Sequence, residues 1–594
     1  MDLDIARHSL SHVMAAAVLE LIPGTKLGIG PAIDEGFYYD FLLPPGAKFT
    51  PEFLDQLTGR MKEIIQADPE FAGRNVTLDE ARARFHQSGQ DFKVELIDDL
   101  NAQGATEVSL YTTGDFVDLC RGPHVARAAE LRKLGWRLDR VAGAYWKGSE
   151  KNPMLQRIYA LAFADAKALK KFVAAREEAL KRDHRKLGAE LDLFFISEEV
   201  GKGLPIYLPK GATMRRVLER FVVDEEIRRG YLHVNTPSLG RRYLYDTSGH
   251  LAHYSESMYP LMDLNDDQYV LRPMTCPHHF MIFKHKPRSY RDLPMRFAEL
   301  ATQYRKEQSG ELAGLIRVMA FHLADAHIVC RADQLADEFL GAIDLVQYVM
   351  TCLGMTDVIS YRASLKDDAK DKYVSNPEMW ELGERLLMEM ADKAGVEYTV
   401  GRGEAAFYGP KLDVQIRNVL GKEDTIFTIQ IDFALPERFD LTYMDADGQP
   451  ARPVVVHRSS IGAVERTLAF LIEYYAGAFP TWLAPVQARV LTVSRDWEEY
   501  GAQVAGRLRE AGLRIETDFR GETLGKKIRE ARLQRIPYLV IIGEQESAGG
   551  VVSVRNRDTQ QQHSLGLDEF TANLVREDAD KALTLTADQS PAGA

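Results

Sequence analysis

Near the amino terminus Leu10, Val13, Met14, Val18 and Leu21 recur at about 3.6-residue spacing, which predicts a helix. From there to about residue 150, short apolar runs alternate with Gly and Pro punctuation. Examples are Leu27-Gly28-Ile29-Gly30-Pro31 and Gly36-Phe37-Tyr38-Tyr39-Asp40. This is the pattern of an α+β domain. From 160 to 191 there is no Pro, and no Gly before Gly188, in a stretch rich in Ala, Lys, Arg, Glu and Leu. A long connecting helix is expected there, with the run Lys181-Arg182-Asp183-His184-Arg185-Lys186 on its solvated face. Between about 200 and 480, strand-like apolar runs alternate with amphipathic helices. After 485 the alternation is regular: strand 488–493, helix 500–511, strand 514–517, helix 525–535, strand 538–542. That order predicts a small mixed sheet covered by helices. The polar end of the chain is expected to be disordered. The layout expected is an amino-terminal domain (1–155), a connecting helix (156–195), a large central domain (196–484), a carboxy-terminal domain (485–578) and a tail (579–594).

Composition narrows the class. A chain of 594 residues with 45% hydrophobic and 27% charged residues fits a multidomain globular protein. No apolar run is long enough to span a bilayer, so no membrane partner is expected. The start Met1-Asp2-Leu3-Asp4 lacks a signal-peptide core, and the expected location is cytoplasmic. The four cysteines, Cys120, Cys276, Cys330 and Cys352, are far apart, as in a reducing compartment. A net charge of −13 excludes a generic nucleic-acid binder. It leaves room for a local basic patch, because phosphate attraction is screened within about 10 Å. Arg520, Lys526, Lys527, Arg529, Arg532 and Arg535 surround one predicted helix and are such a patch.

Two groups of residues carry candidate chemistry. His8 and His12 lie four apart on one helix face, and Cys120 and His124 repeat that spacing. Such a donor set is a metal-type signature. Cys276, His327 and His457 are also metal-ligand types, but their wide separation carries no spacing signal, and each histidine alone reads as a structural residue.

Several motifs occur in a familiar order. Tyr304-Arg305-Lys306-Glu307 resembles motif 2 of class II aminoacyl-tRNA synthetases, and Gly462-Ala463-Val464-Glu465-Arg466 resembles motif 3. Arg228-Arg229-Gly230-Tyr231-Leu232 through Thr236-Pro237 resembles motif 1, the dimer-interface segment. Tyr290-Arg291-Asp292-Leu293-Pro294, Phe407-Tyr408-Gly409-Pro410-Lys411 and Phe479-Pro480-Thr481-Trp482-Leu483-Ala484-Pro485 are similar to the threonyl-tRNA synthetase family, a resemblance that runs from about His8 to about Arg557.

The resemblance implies an antiparallel-sheet class II catalytic core, an α+β editing domain ahead of it and an α/β anticodon-binding domain behind, in a homodimer. It implies ATP-dependent activation of L-threonine and transfer to tRNA(Thr). Arg305 would take the α-phosphate, Arg466 the γ-phosphate and Arg317 further ATP contacts. Glu307 would read the adenine amino group, Phe321 would stack on its ring, and Mg2+ would bridge phosphates. One Zn2+ per subunit would sit on Cys276, His327 and His457, with Asp325, Tyr408, Gln430 and Met274 lining the threonine pocket. His250 would assist deprotonation of the tRNA ribose. Valine lacks only the hydroxyl, and an apolar pocket separates such pairs by only about a hundredfold. A metal that binds amine and hydroxyl together answers that need. Serine keeps the hydroxyl, and its missing methyl is worth about 1–3 kcal/mol. A second site therefore hydrolyses Ser-tRNA(Thr). By resemblance it comprises His8, His12, Lys93, Asp118, Cys120 and His124, and works without metal. Arg529, Glu546 and Arg555 match base-contacting positions for the anticodon.

The sequence also departs from the family. Leu323 replaces a glutamine, Met319 an arginine and Gly521 an asparagine, and Lys422-Glu423-Asp424-Thr425 differs from the usual stretch. The small domain usual ahead of the editing domain is expected to be absent, since His8 lies near the start. Two other readings stay open: an RNA-binding regulatory relative that does not aminoacylate, and an editing hydrolase on an inactive body.

Overall fold

The computed structural model describes residues 2–589 apart from Ser309, Lys370, Asp371 and Val419. The chain divides into two compact units, Met1–Glu177 and Glu178–Ala594. Unit 1 opens on the helix Leu3–Leu21, capped by Asp2, whose carboxylate accepts from the Asp4 amide at 2.9 Å. The expected apolar stripe is present, but the burial extends further round the helix. Arg7, Ser9, Ser11 and His12 are enclosed beside Leu10, Val13 and Met14. Internal partners make this tolerable: Arg7 Nε donates to the Ala162 carbonyl at 3.0 Å and the Ser11 hydroxyl to the Gly30 carbonyl at 2.6 Å. A five-stranded antiparallel sheet and a separate three-stranded sheet complete the unit.

The helix expected over 156–195 starts late and is broken. Met154–Phe163 is a strand, paired with Gly36–Leu42 and Gly135–Tyr145. Its Ile158, Ala160 and Ala162 are buried in alternation. Helix follows at Ala166–Arg182 and again at His184–Glu190. Asp183 separates the two by capping the second, its carboxylate accepting from the Arg185 amide at 2.8 Å. The charge run 181–186 is therefore not one solvated face, and His184 is buried.

Unit 2 is built on an eight-stranded sheet. Its order is Leu232–His233, Met295–Tyr304, Ala320–Cys330, Val454–Ala463, Glu423–Asp432, Lys411–Arg417, Ile359–Leu365, Tyr398–Arg402. The interior pairings are antiparallel, and the two edge strands run parallel to their neighbours. The helices Leu335–Cys352 and Val464–Tyr474 bury Phe339, Ile343, Val346 and Leu468 in the main core. A second sheet of five strands lies in the same unit, parallel on one side of Tyr538–Ile542 and antiparallel on the other. Ala488–Thr492, Glu498–Glu510, Ile515–Asp518, Leu524–Leu533 and Tyr538–Ile542 follow the order read from the sequence.

Disorder from 579 does not hold as far as Gln589. Beyond the helix Leu567–Ala579, Leu585, Ala587 and Asp588 are buried. The Ala587 amide donates to the Tyr538 hydroxyl at 2.9 Å, and Asn556 donates to Asp588 at 2.8 Å. Polar composition hid these few anchoring residues. Residues 590–594 lie outside the described residues.

Candidate functional site

Strand register puts the candidate donors of unit 2 in one line. His327 pairs with His457, His457 with Gln430, and Gln430 with Lys411. Neighbouring strands lie about 4.8 Å apart, so side chains in such a row on one face touch. Asp325 is two residues from His327 and shares its face. Cys276 arrives from outside the sheet, as the first residue of the helix Cys276–Lys284. Its sulfur lies 3.5 Å from His457 Nδ1. One donor atom from each of Cys276, His327 and His457 lies within 4.8 Å of the others.

The surroundings fit a metal. His457 Nε2 donates to Asp432 at 2.8 Å, which leaves Nδ1 facing the sulfur. His327 Nδ1 lies 2.8 Å from His279 Nδ1, and His279 Nε2 lies 3.2 Å from Glu299. Donation along that chain leaves His327 Nε2 as a lone pair, buried and unpartnered among the described residues. An orphan buried nitrogen beside a thiol and a second imidazole nitrogen asks for a ligand. Carboxylate-backed histidines are the usual supports of metal ligands, and one sulfur with two nitrogens suits zinc with a position left open. Asp432, His279 and Glu299 were not found by sequence reasoning. Each meets its partner across strands or from a distant helix, so no local spacing marks it.

Cys276 and His457 of this group line a cavity of about 540 Å³. Of the residues singled out from sequence, His250, Met274, Arg305, Glu307 and Arg317 line it with Cys276, Asp325, Tyr408, Gln430 and His457. Phe321, His327 and Arg466 are not among the lining residues. Asp325 accepts from Gln303 at 3.2 Å, and burial raises its carboxyl above the usual range. The Tyr408 hydroxyl donates to Gln430. His250 Nδ1 meets the Ser248 hydroxyl at 2.7 Å, and burial lowers its pKa to about 3, so the ring is neutral at physiological pH. Arg305 is exposed where it lines the cavity, and its guanidinium lies 5.1 Å from the centre of the Phe321 ring. Arg317 pairs with Glu307 at 2.8 Å, and Arg466 donates to the carbonyls of Ile316 and Thr425 at 2.9 Å each. Leu323 faces the cavity, whereas the Met319 amide is bonded to the Gly203 carbonyl away from the lining. Lys411, paired with Asp413 at 2.7 Å, is a lining residue that the sequence reading did not single out as functional.

The register of Ala320–Cys330 against Val454–Ala463 shifts between Leu323 and Asp325. Gly462 sits at this irregularity with φ +72°, and a Cβ there would lie 2.3 Å from the Ile426 carbonyl oxygen. Only glycine fits, and the helix carrying Arg466 starts two residues later.

Unit 1 also gathers its candidates. The rings of His8 and His12 are 5.3 Å apart on the first helix, and Cys120 directly follows the strand Phe116–Leu119. The Cys120 sulfur lies 3.2 Å from both His8 Nε2 and His124 Nε2. Asp118 is buried and holds Lys93 at 2.5 Å and the Tyr39 hydroxyl at 2.5 Å. Tyr39 went unrecognised because its partner is 79 residues away. Burial raises the Cys120 thiol to about 11, lowers His124 to about 2 and pulls His8 below its usual value. At neutral pH the cluster holds a protonated thiol and neutral imidazoles beside the Lys93–Asp118 contact. Such a set can take a proton from water but offers no thiolate nucleophile. By distance alone, the donors of His8, His12, Cys120 and His124 also meet the metal-type spacing, lying within 4.8 Å of one another.

The basic patch is smaller than expected. Lys527 is buried and donates to the Thr492 carbonyl at 2.8 Å. Arg520 is held by Asp518 and Glu530, and Lys526 by Glu522. Helical geometry turned Lys527 inward, leaving Arg529 and Arg532 exposed. Glu546 accepts from the Gly543 amide at 2.9 Å, and Arg555 reaches Gln560 at 3.2 Å. Among the described residues no hydrogen bond joins Arg529, Glu546 and Arg555 to one another.

Three family models match the chain. They are the class II tRNA synthetase core domain (G, H, P, S and T) at 259–475, an anticodon binding domain at 487–577, and the threonyl and alanyl tRNA synthetase second additional domain at 108–159. A threonine–tRNA ligase of Geobacillus sp. (strain WCH70) is 48% identical over 577 residues, covering 97% of this chain and 88% of that one. Threonine–tRNA ligase 1 of Bacillus subtilis (strain 168) is 48% identical, covering 97% of this chain and 89% of that one. Among solved structures, the RNA binding domain of threonyl-tRNA synthetase from Cryptosporidium parvum Iowa II matches with TM-score 0.64 and 36% identity, over 68% of this chain and 99% of that one. Giardia lamblia prolyl-tRNA synthetase, in complex with prolyl-adenylate, shares the fold at TM-score 0.53 and 17% identity, over 68% of this chain and 80% of that one.

Proposed function

The chain belongs to the threonyl-tRNA synthetase family, and from that premise we propose how its cavities divide the work. The reaction is ATP-dependent attachment of L-threonine to tRNA(Thr), with hydrolytic editing of Ser-tRNA(Thr). ATP is used as its Mg2+ complex.

In the cavity of unit 2, the threonine carboxylate attacks the α-phosphate and pyrophosphate leaves. Arg305, Arg317 and Arg466 hold the phosphate oxygens and offset their charge, the main source of acceleration in such a transfer. Glu307 and Phe321 fix the adenine. Zinc on Cys276, His327 and His457 would supply a Lewis acid with an open position for a paired amine and hydroxyl. Asp325 accepts a hydrogen bond from the hydroxyl, while Tyr408, Gln430 and Met274 close the pocket. The ribose hydroxyl of the tRNA then attacks the activated carbonyl and AMP leaves. Neutral His250 can accept a hydrogen bond from that hydroxyl and so assist its loss of the proton.

In unit 1 the neutral imidazoles of His8 and His124 orient a water beside the ester, and His8, whose basicity burial depresses less than that of His124, takes its proton. The Cys120 thiol is a hydrogen-bond donor there, and the Lys93–Asp118–Tyr39 group holds the floor rigid. His12 packs beneath. Arg529, Glu546 and Arg555 read the anticodon by contacts to loop bases. Ile227 and Leu232 are 54% and 52% exposed in the motif 1 segment, which favours a homodimer through it. Among the described residues no helix is long and apolar enough to cross a membrane, and a cytoplasmic location is part of this proposal.

The observation that carries the reading is the cavity itself, where Cys276 and His457 share one wall with Arg305 and Asp325. Threonine-dependent ATP–pyrophosphate exchange, with metal analysis of the same sample, tests it. Exchange with threonine and one zinc per chain is expected. Bound zinc without exchange would identify a non-aminoacylating relative. Deacylation of Ser-tRNA(Thr) alone would identify a bare hydrolase.

A further inference from the structure

The segment leading into the strand Ala320–Cys330 carries Arg317, with Arg305 beside it through its amide hydrogen bond to the Met319 carbonyl, while Arg466 stands on the helix Val464–Tyr474. Something must hold these two carriers at a fixed spacing, because ATP spans both. Arg466 does part of this by donating to the Ile316 carbonyl at 2.9 Å. The adjacent residue is held from outside the site. The Leu315 amide, on a residue only 1% exposed, donates to His184 Nε2 at 3.1 Å. The same imidazole meets Glu473 through Nδ1 at 2.6 Å. Glu473 lies seven residues after Arg466, two turns along the same helix face. Gly314 packs directly on the ring: a Cβ there would lie 2.1 Å from His184 Nε2. Asp183, His184 and Glu473 also have the spacing of a cation site. Both ring nitrogens are already engaged, however, so the group is a hydrogen-bond relay.

We propose that His184 is a positioning residue for ATP, its imidazole tying the turn just before Arg317 to the helix that bears Arg466. It touches no substrate. It acts on the arginines by setting the path of the turn just before Arg317, and it rests on the reading of the cavity as the ATP site. Its location, a few residues into unit 2 on the helix His184–Glu190, is outside every motif that marks the site.

The test is exchange kinetics on the full chain with ATP and threonine varied separately. His184→Asn keeps a donor near the Nδ1 position but cannot reach Leu315. It should raise KM for ATP about tenfold, the scale of one unsatisfied buried amide. KM for threonine should stay as in the wild type, and the thermal unfolding midpoint should fall only modestly. His184→Gln, whose longer amide reaches the Leu315 amide, should recover most of the loss. An unchanged KM for ATP in His184→Asn overturns the proposal. So does a parallel rise in both KM values with a lower midpoint and no recovery in His184→Gln, which would mean that the ring only holds the fold. Absence of exchange in the wild type would strike the functional reading instead. ATP affinity measured by calorimetry on the same variants still decides the role of His184.

Discussion

Asp432 shows how much a single hydrogen bond from behind a ring can decide. It accepts from His457 Nε2 and so presents Nδ1 to the sulfur of Cys276. Asp432→Asn should weaken zinc binding about 10–100-fold, measured by competition with a chromophoric chelator. Unchanged affinity would remove Asp432 from the site. In unit 1, burial lowers His8, His12 and His124 from the usual 6.5. As pH falls through that value the unfolded chain takes up protons that the folded unit refuses. Stability from these rings is therefore full above about pH 6.5 and declines below it. The calorimetric transition of unit 1 should move to lower temperature between about pH 7.5 and about pH 5, and His124→Asn should reduce the movement. A transition that stays fixed over that range would mean that the rings take up protons in the folded unit as readily as in the unfolded chain. Sequence motifs led to Cys276, His327 and His457, and spacing led to His8, His12, Cys120 and His124. Neither could lead to Asp432, His279, Glu299 or Tyr39. A carboxylate or a tyrosine within a strand has no periodic signature, and its partner is chosen by register.

At the scale of elements, the junction of Val454–Ala463 with its following helix matters most. Gly462 lets the strand bulge against Leu323 and Asp325 and then delivers Arg466. Gly462→Ala forces a Cβ onto the Ile426 carbonyl at positive φ. A loss of roughly 1–3 kcal/mol is expected, seen as a lower urea midpoint, with weakened ATP-dependent exchange. A variant as stable and active as wild type would show that the bulge does not set the site. Helices and strands after 485 were legible because each apolar run is short and bounded. The strand Met154–Phe163 was not. Its Ala and Leu content reads as helix, and only the alternation of buried positions marks it as sheet. The break at Asp183 was missed for a related reason: a capping carboxylate inside a charge run looks like one more surface charge.

The whole molecule keeps two chemistries in separate units, each with its own core. Cys276→Ser should abolish threonine-dependent exchange and leave Ser-tRNA(Thr) deacylation working. Loss of both together would mean that the metal serves the fold rather than the pocket. The motif order assigned the two chemistries to different regions of the chain, while the compact units, Met1–Glu177 and Glu178–Ala594, were not bounded where the sequence reading expected. The size of the basic patch was not legible, because a lysine that turns inward, as Lys527 does, is spelled like one that faces RNA.

The row His327–His457–Gln430–Lys411 has a consequence for accuracy. A pocket wall laid across consecutive strands has its gauge fixed by the sheet, in steps of about 4.8 Å. One methyl group is a carbon–carbon bond of about 1.5 Å. The backbone spacing alone therefore cannot be tuned to one methyl, and the lining side chains add only the roughly 1–3 kcal/mol that a methyl is worth. An enzyme ruled off in such coarse divisions cannot measure its way to fidelity. It has to sort in time instead, making the error and then undoing it elsewhere in the same chain.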